Sequence, residues 1–482
     1  MSTVDAVQNK VKSVFQGIVI YKNPEYHTFF SSKSIPSFLR DWIIMRSADE
    51  NGDIDIDEIA GFIQRSLPGA KDWESIKSKM VNDRVRVKFL GKIRIEVDVK
   101  TGKTLFQLPE FGYPKKKYEA LVDDYVMAEH KEDLLSDSET WGLLTCEYRP
   151  YGIDDRSGAI WLVDFKPFRP YKVSISYYQE ARREFTLDEW IDVLLMAIDY
   201  NPEAFANEKQ KLTLLSRLLP FLERRVNLVE LAPKGTGKSY MMSQLSKYGW
   251  LVSGGSISRA KLFYDMSRRI PGLVSRYDFV VFDEIQTIEF PDPDEMAGAL
   301  KGYLEMGQTQ IGAERIVGSA GIVLMGNIKS QSMDVFKDMF QQLPSIFQES
   351  ALLDRFHGFI KGWDIPRMKS HVSAHGWSLN VEYFTEILHA MREDLVYAGI
   401  VDDLLQVPSG SDLRDTVAIK RLTTGFLKLL FPHVRDLRDI NKEEFEKYCL
   451  EPAKQMRSII KIQMSLRDSE FQPTVPDITL KI

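Results

Sequence analysis

The chain has 482 residues, is 44% hydrophobic and 27% charged, and carries a formal net charge of −6. That is too much globular sequence for a single core and predicts two or three domains. The acidic balance excludes bulk charge as a sign of nucleic-acid binding, so any basic surface must be local.

Cys146 and Cys449 lie far apart, which argues against a disulfide framework or a paired-cysteine zinc site. No apolar run has the length of a signal-peptide core or a membrane span, so a cytoplasmic protein with no membrane partner is expected. Residues 1–82 read as a helical N-terminal region, with Ile35, Phe38, Leu39, Trp42 and Ile43 at helical spacing. Within it "DENGDIDIDE" resembles a calcium loop through Asp49, Asn51 and Asp53. Ile54 stands where such a loop needs glycine, so a solvated acidic loop is expected.

Residues 83–176 read as β-rich. Val85, Val87 and Phe89, then Ile93, Ile95, Val97 and Val99, alternate with polar residues, with Gly91 and "KTGK" as breaks. A helix is expected over about 117–135, then strands in "TWGLLTCEYRP" and "GAIWLVDFKPF". An antiparallel sheet or small barrel follows from this pattern. Residues 177–225 read as a helical linker, where Thr186 and Glu189 form a capping-box signature. Residues 226–370 alternate strand and helix, which predicts an α/β core with a parallel sheet covered on both faces. Residues 371–482 read as a helical lid with a loose, proline-interrupted tail, "FQPTVPDITLKI". The expected fold class is therefore α/β plus mixed α+β.

The core opens with "NLVELAPKGTGKSYMMSQL". A strand, a glycine-containing loop and a helix in this order suit a phosphate, which needs inward backbone N–H groups, close approach and a helix N-terminus. Pro233, Lys234, Gly235, Thr236 and Gly237 form the loop. Lys238 is expected on the β- and γ-phosphates and Ser239 on Mg²⁺. Ala232 replaces the usual first glycine, a change tolerable at negative φ. Some forty residues on, "YDFVVFDE" ends a hydrophobic strand in Asp283, expected on Mg²⁺, and Glu284, expected to polarise the attacking water. A further strand, "AGIVLMGNI", ends in Asn327, placed to hold that water. "LLDRFHGFI" presents Arg355, expected to reach a neighbouring subunit's nucleotide. Arg414 opens a lid helix as a further phosphate-sensing candidate, with Arg421 behind it.

Taken in order, these motifs resemble the AAA+ ATPases, with Asn327 and Arg414 at the sensor 1 and sensor 2 positions. More closely, "ELAPKGTGKSY", "VSGGSISRAKLFYDM", "GLVSRYDFVVFDEI", "LKGYLEMGQTQIGAERI", "DRFHGFIKGWDIPRMK" and "RLTTGFLKLLFPH" resemble the Lon-related BrxL family of BREX anti-phage systems. The likeness reaches upstream to "VFQGIVIYK" and "REFTLDEWIDVLL" and so covers most of the chain. It implies an AAA+ P-loop core with a helical lid, similar in plan to minichromosome maintenance helicases, and an oligonucleotide-binding-like barrel in 83–176. It also implies a homo-oligomeric ring, a hexamer or stacked hexamers, that uses ATP and Mg²⁺ on duplex DNA alongside other BREX components.

Longer family members continue into a Lon-like protease domain. This sequence ends soon after the lid, and "PSGSD" at 408–412 reads as a turn and helix cap, so no protease activity of its own is expected. Between the acid strand and the Asn327 strand, "EMGQTQIGAERIVGSAG" reads as a hairpin with Arg315 near its tip. Arg259 and Lys261, with Arg268 and Arg269, add bases that could meet DNA phosphate in a pore. Two other functions stay open: a protein unfoldase serving a separate protease, and a nucleotide-gated scaffold on DNA with little motor activity.

Overall fold

The computed structural model describes residues 3–33, 35–136, 140–152, 157–267 and 269–481. It divides into two compact units: residues 1–46 with 173–482, and residues 47–172. The first 46 residues thus belong with the α/β core. They are not all helical, because Val19–Lys22 (β1) forms a strand.

The 47–172 unit is a closed barrel. Its strands are Val87–Asp98 (β2), Lys103–Gln107 (β3), Ala120–Val122 (β4), Thr140–Pro150 (β5) and Gly158–Pro167 (β6), in the order β2-β3-β4-β6-β5. Phe89, Ile93, Phe106, Leu144, Leu162 and Phe165 fill its core. Two expectations fail here. Gly91 does not break the chain: β2 runs through it, paired with Gly142. The expected helix at 117–135 starts only at Asp124, because Ala120–Val122 is a strand parallel to β6. The acidic loop closes on itself. Asp49 Oδ1 accepts the N–H groups of Asn51 and Asp53, each at 2.9 Å. Among the described residues no group of three or more His, Cys, Asp or Glu is placed to hold a metal.

The larger unit includes residues 177–225, the stretch read as a helical linker. Helices Ile175–Arg183, Leu187–Ala197 and Glu208–Leu215 pack into the body, with Trp190, Leu194, Leu215 and Leu222 fully buried. The Thr186 capping box forms. Leu228–Ala232 (β7) and Gly249–Ser256 (β8) open the parallel sheet. A short hairpin, Tyr264–Asp265 (β9) with Ile270–Pro271 (β10), precedes Phe279–Glu289 (β11). Gln308–Ile311 (β12) and Glu314–Val317 (β13) form the expected second hairpin. Gly321–Asn327 (β14) and Gly358–Lys361 (β15) complete a sheet of order β15-β7-β14-β11-β8, parallel throughout. The inner strands β7, β14 and the first half of β11 are near-continuous apolar runs, as burial on both faces requires, whereas the edge strand β8 is only partly buried.

The 371–482 segment is mainly helical, with two exceptions. Gly376–Leu379 (β16) pairs with β1. The tail is docked: Ile478 is fully buried and Thr479–Leu480 pair with Leu405–Gln406. No described helix is long and apolar enough to cross a membrane.

Candidate functional site

Parallel strands bring their carboxyl ends to one sheet edge, where α/β proteins bind ligands. Here β7 runs into loop 233–237, β11 carries Asp283, and β14 ends at Asn327. Gly235 and Gly237 have φ 83° and 72°, the left-handed region that costs glycine no Cβ clash. Helix Lys238–Gln244 starts directly after them. The Lys238 Nζ donates to the Pro233 carbonyl at 3.3 Å and to Asn327 Oδ1 at 3.4 Å. The Ser239 hydroxyl donates to Asp283 Oδ2. Burial pushes the Lys238 ammonium below the ordinary lysine range.

Glu284 is exposed at φ 49°. Its N–H donates to Asp283 Oδ1 at 2.9 Å, where β11 slips out of register with β8. A non-glycine residue held in this region is a local strain of the kind that gathers at functional sites. Gln286 Nε2 donates to the Asn327 carbonyl at 3.0 Å and fixes the end of β14.

Ala232 is accommodated by a glycine elsewhere. A Cβ on Gly362 would stand 2.2 Å from the Ala232 Cβ, so the space that the missing glycine would have left is supplied from the facing segment. Lys234 is exposed and Thr236 is buried.

The structure brings Lys238, Ser239, Asp283 and Asn327 together, with Glu284 beside them. It does not bring Arg355 or Arg414 there. β15 starts at Gly358 opposite Leu228, the first residue of β7, so Arg355 lies at the other end of the sheet. Strand β7 alone separates the two ends by about 13 Å. Arg355 Nε pairs with Glu305 at 2.7 Å. Arg414 pairs with the same Glu305 at 3.1 Å and with Asp354 at 3.0 Å. Arg421 is half-buried, with its Nη1 on the Arg225 carbonyl and beside His357 Nε2. Of the candidate DNA contacts, Arg259 is paired with Glu295 at 2.6 Å, Lys261 is exposed, and Arg315 donates to Gln308 across the hairpin. Arg268 lies outside the described residues. The turn of that hairpin meets the other one: a Cβ on Gly312 would lie 3.1 Å from Met266 Cε.

Sequence reasoning missed three supports. Arg217 and Glu230 form a fully buried ion pair beneath the loop. Tyr240, in the helix after the loop, donates to Asp199 at 2.6 Å and shares a 2.6 Å hydrogen bond with Ser37. Arg40 and Lys22 both pair with Asp199 at 2.7 Å. Burial alone would raise the Asp199 carboxyl, but these two cations outweigh it and hold it well below the usual range. A charge inside an apolar run, as in "LLSRLL" and "LVELA", was the available signal for Arg217 and Glu230.

Residues 160–477 match the family model described as "Lon-like protease BrxL-like, ATPase domain". The class is thus a mixed α/β protein with an ATPase domain preceded by an N-terminal domain. Residues 13–148 match "BREX system Lon protease-like protein BrxL N-terminal". The chain belongs to the BrxL family. The "Lon-like protease BrxL" of Escherichia coli O9:H4 (strain HS) is 28% identical over 437 residues, covering 89% of this chain and 61% of that protein. The protein of the same description from Bacillus cereus (strain H3081.97) is 30% identical over 388 residues, covering 78% and 55%. The chain therefore spans little more than half the length of these relatives.

Proposed function

We propose that this chain is an AAA+ ATPase that binds ATP with Mg²⁺ at loop 233–239, acts as a ring on DNA, and serves BREX-type defence against phage. The observation that carries the reading is the meeting of three strand ends: Ser239 bonded to Asp283, and Lys238 within reach of Asn327. The residues fit the nucleotide. Two left-handed glycines leave the loop open to phosphate. Ser239 and Asp283 offer the hard oxygen donors that Mg²⁺ takes in small number when phosphates supply the rest. Bound Mg²⁺ would neutralise charge on the β- and γ-phosphate oxygens.

The chain's own residues do the rest. Lys238 binds the phosphates. The Glu284 carboxylate accepts a proton from the attacking water, and Asn327 orients it. Arg355 and Arg414 serve a neighbouring copy's nucleotide, since both sit at the sheet end away from their own loop. The adjoining hairpins, with Arg315 and Lys261, are the candidate contacts to duplex phosphate. The 47–172 barrel is the candidate oligonucleotide-binding-like module.

Steady-state ATP hydrolysis with and without duplex DNA tests this, with Glu284→Gln as the blank. DNA stimulation is expected, with Glu284→Gln binding ATP but turning over none. Hydrolysis stimulated only by unfolded protein would replace the DNA reading with that of a protein remodeller. Tight ATP binding retained by Lys238→Ala would overturn the site.

A further inference from the structure

Beneath the glycine loop lies an ion pair that a nucleotide fold does not need. Arg217 and Glu230 are both 0% exposed, joined bidentately at 3.0 Å (Nε to Oε2) and 2.6 Å (Nη2 to Oε1). Glu230 is the middle residue of β7, a strand buried along its whole length. Taking two charges out of water costs several kcal/mol per ion, and apolar replacements of such pairs are often neutral or stabilising. Stability alone therefore gives no reason to find a guanidinium and a carboxylate here.

What the pair reaches is the loop. Arg217 Nη1 donates to the Thr236 carbonyl at 2.9 Å, and Nη2 lies 3.4 Å from the Thr236 hydroxyl. A trans peptide is planar, with its C=O and N–H pointing in opposite directions. With the Thr236 oxygen turned down to Arg217, the Gly237 N–H is turned the opposite way, away from Arg217. The preceding peptide is fixed in the same way. Met368 N–H donates to the Gly235 carbonyl at 2.7 Å, so the Thr236 N–H is turned away from Met368. Carbonyls pinned from behind thus set the direction of consecutive N–H groups, the arrangement that binds anions. Glu230 completes the device by holding the guanidinium itself in place.

We propose that Arg217, held by Glu230, is a positioning residue that presets the Gly237 N–H toward the nucleotide phosphates. This rests on the nucleotide reading above. Arg217 touches no phosphate itself, and acts through the Thr236 peptide.

The test compares wild type with Arg217→Met/Glu230→Leu, which keeps the volume and removes the pin, and with Arg217→Lys, which keeps a charge and a donor. A fluorescent ATP analogue reports affinity, steady-state kinetics report KM and kcat, and thermal unfolding reports integrity. The double variant should unfold no earlier than wild type. Its ATP affinity should fall about tenfold, with KM rising in step and kcat falling less than about threefold, the loss of one hydrogen bond to a charged group. Arg217→Lys should recover part of that loss. Wild-type affinity in the double variant overturns the proposal. So does a double variant that fails to fold while Arg217→Lys binds normally, because the pair is then only structural. Wild-type protein without ATP affinity overturns the nucleotide reading and this proposal with it.

Discussion

Moving one methyl group across the base of the glycine loop should be felt in both stability and ATP binding. In Gly362→Ala the new Cβ stands 2.2 Å from Ala232 Cβ, 3.0 Å from its Cα and 2.7 Å from Glu230 Oε1. Carbon atoms in contact sit at about 3.5–4.0 Å, so something must move by more than an ångström. Neither neighbour can turn aside. Ala232 has no rotamer to change, and Glu230 is held at both oxygens by Arg217. The cost lies at the upper end of the overpacking range, about 3 kcal/mol.

Ala232→Gly, which restores the usual loop residue, removes a fully buried methyl and loosens the backbone, for about 1.5 kcal/mol. If the contact is the cause, the two losses do not add. Ala232→Gly/Gly362→Ala puts the methyl on the opposite wall and should recover about 2 kcal/mol, with the Glu230 contact retained. Urea unfolding midpoints and ATP titration of the four proteins read the cycle. A Gly362→Ala protein indistinguishable from wild type, or losses additive within about 0.5 kcal/mol, would refute the packing argument.

Arg355→Ala should bind ATP normally but hydrolyse it at least about a hundredfold more slowly. Mixing it with Lys238→Ala, whose Arg355 is intact, should restore turnover; mixtures that stay inactive would return Arg355 to a purely structural role. DNA affinity should fall steeply with salt, and Arg315→Ala should reduce the log–log slope by about one; an unchanged slope removes Arg315 from the interface. His357 is buried, its Nδ1 accepting the Asn227 N–H at 2.9 Å, and burial with nearby Arg421 pushes its pKa well below the usual value. Below about pH 6.5 the unfolded chain gains a proton there that the folded chain refuses, so this residue lowers stability as pH falls, by about 1.4 kcal/mol per pH unit. The Glu382 carboxyl, raised by burial to about 7, works in the opposite sense. The comparison that isolates the imidazole is therefore wild type against His357→Gln, whose unfolding midpoint should lose that slope between pH 6.5 and 5.

The parts of the site that were legible in the sequence are those where local order fixes position. A loop between a strand and a helix places Lys238 and Ser239 with no tertiary knowledge. An apolar strand ending in Asp-Glu places Asp283 as soon as the strands are parallel, and Asn327 follows by the same rule. Lid arginines have no such rule, because a helix residue's neighbours depend on how the helix docks. Arg414, expected as a nucleotide sensor, shares Glu305 with Arg355 at the end of the sheet away from its own loop, a placement that nothing in the sequence foretold. Period-two patterning found β2, β5 and β6, but not Ala120–Val122, since three buried residues carry no period. The tail shows the converse failure. Its prolines argued for looseness, yet the buried Ile478, a two-residue strand pairing, Phe471 against the core and the Lys454 hydrogen bond to the Ile478 carbonyl dock it.

The charges beneath the loop show most plainly where pattern reading ends. Periodicity treats Glu230 as a blemish in a strand and Arg217 as a blemish in a helix, because each alone is a buried charge of high cost. Only the fold reveals that they cancel each other, and that the spare donors of the guanidinium meet the Thr236 carbonyl and hydroxyl. A charged residue inside an apolar run is thus a question with a definite form: which opposite charge closes on it, and which backbone group is held by what remains. At Asp199 the same question leads from Lys22 and Arg40 to Tyr240, and through it to the helix that begins at Lys238. Two independent buried clusters therefore converge on a loop and helix of twelve residues from Pro233 to Gln244. Rigidity there is what a phosphate site requires, since donors that must be reoriented on binding weaken the affinity they confer.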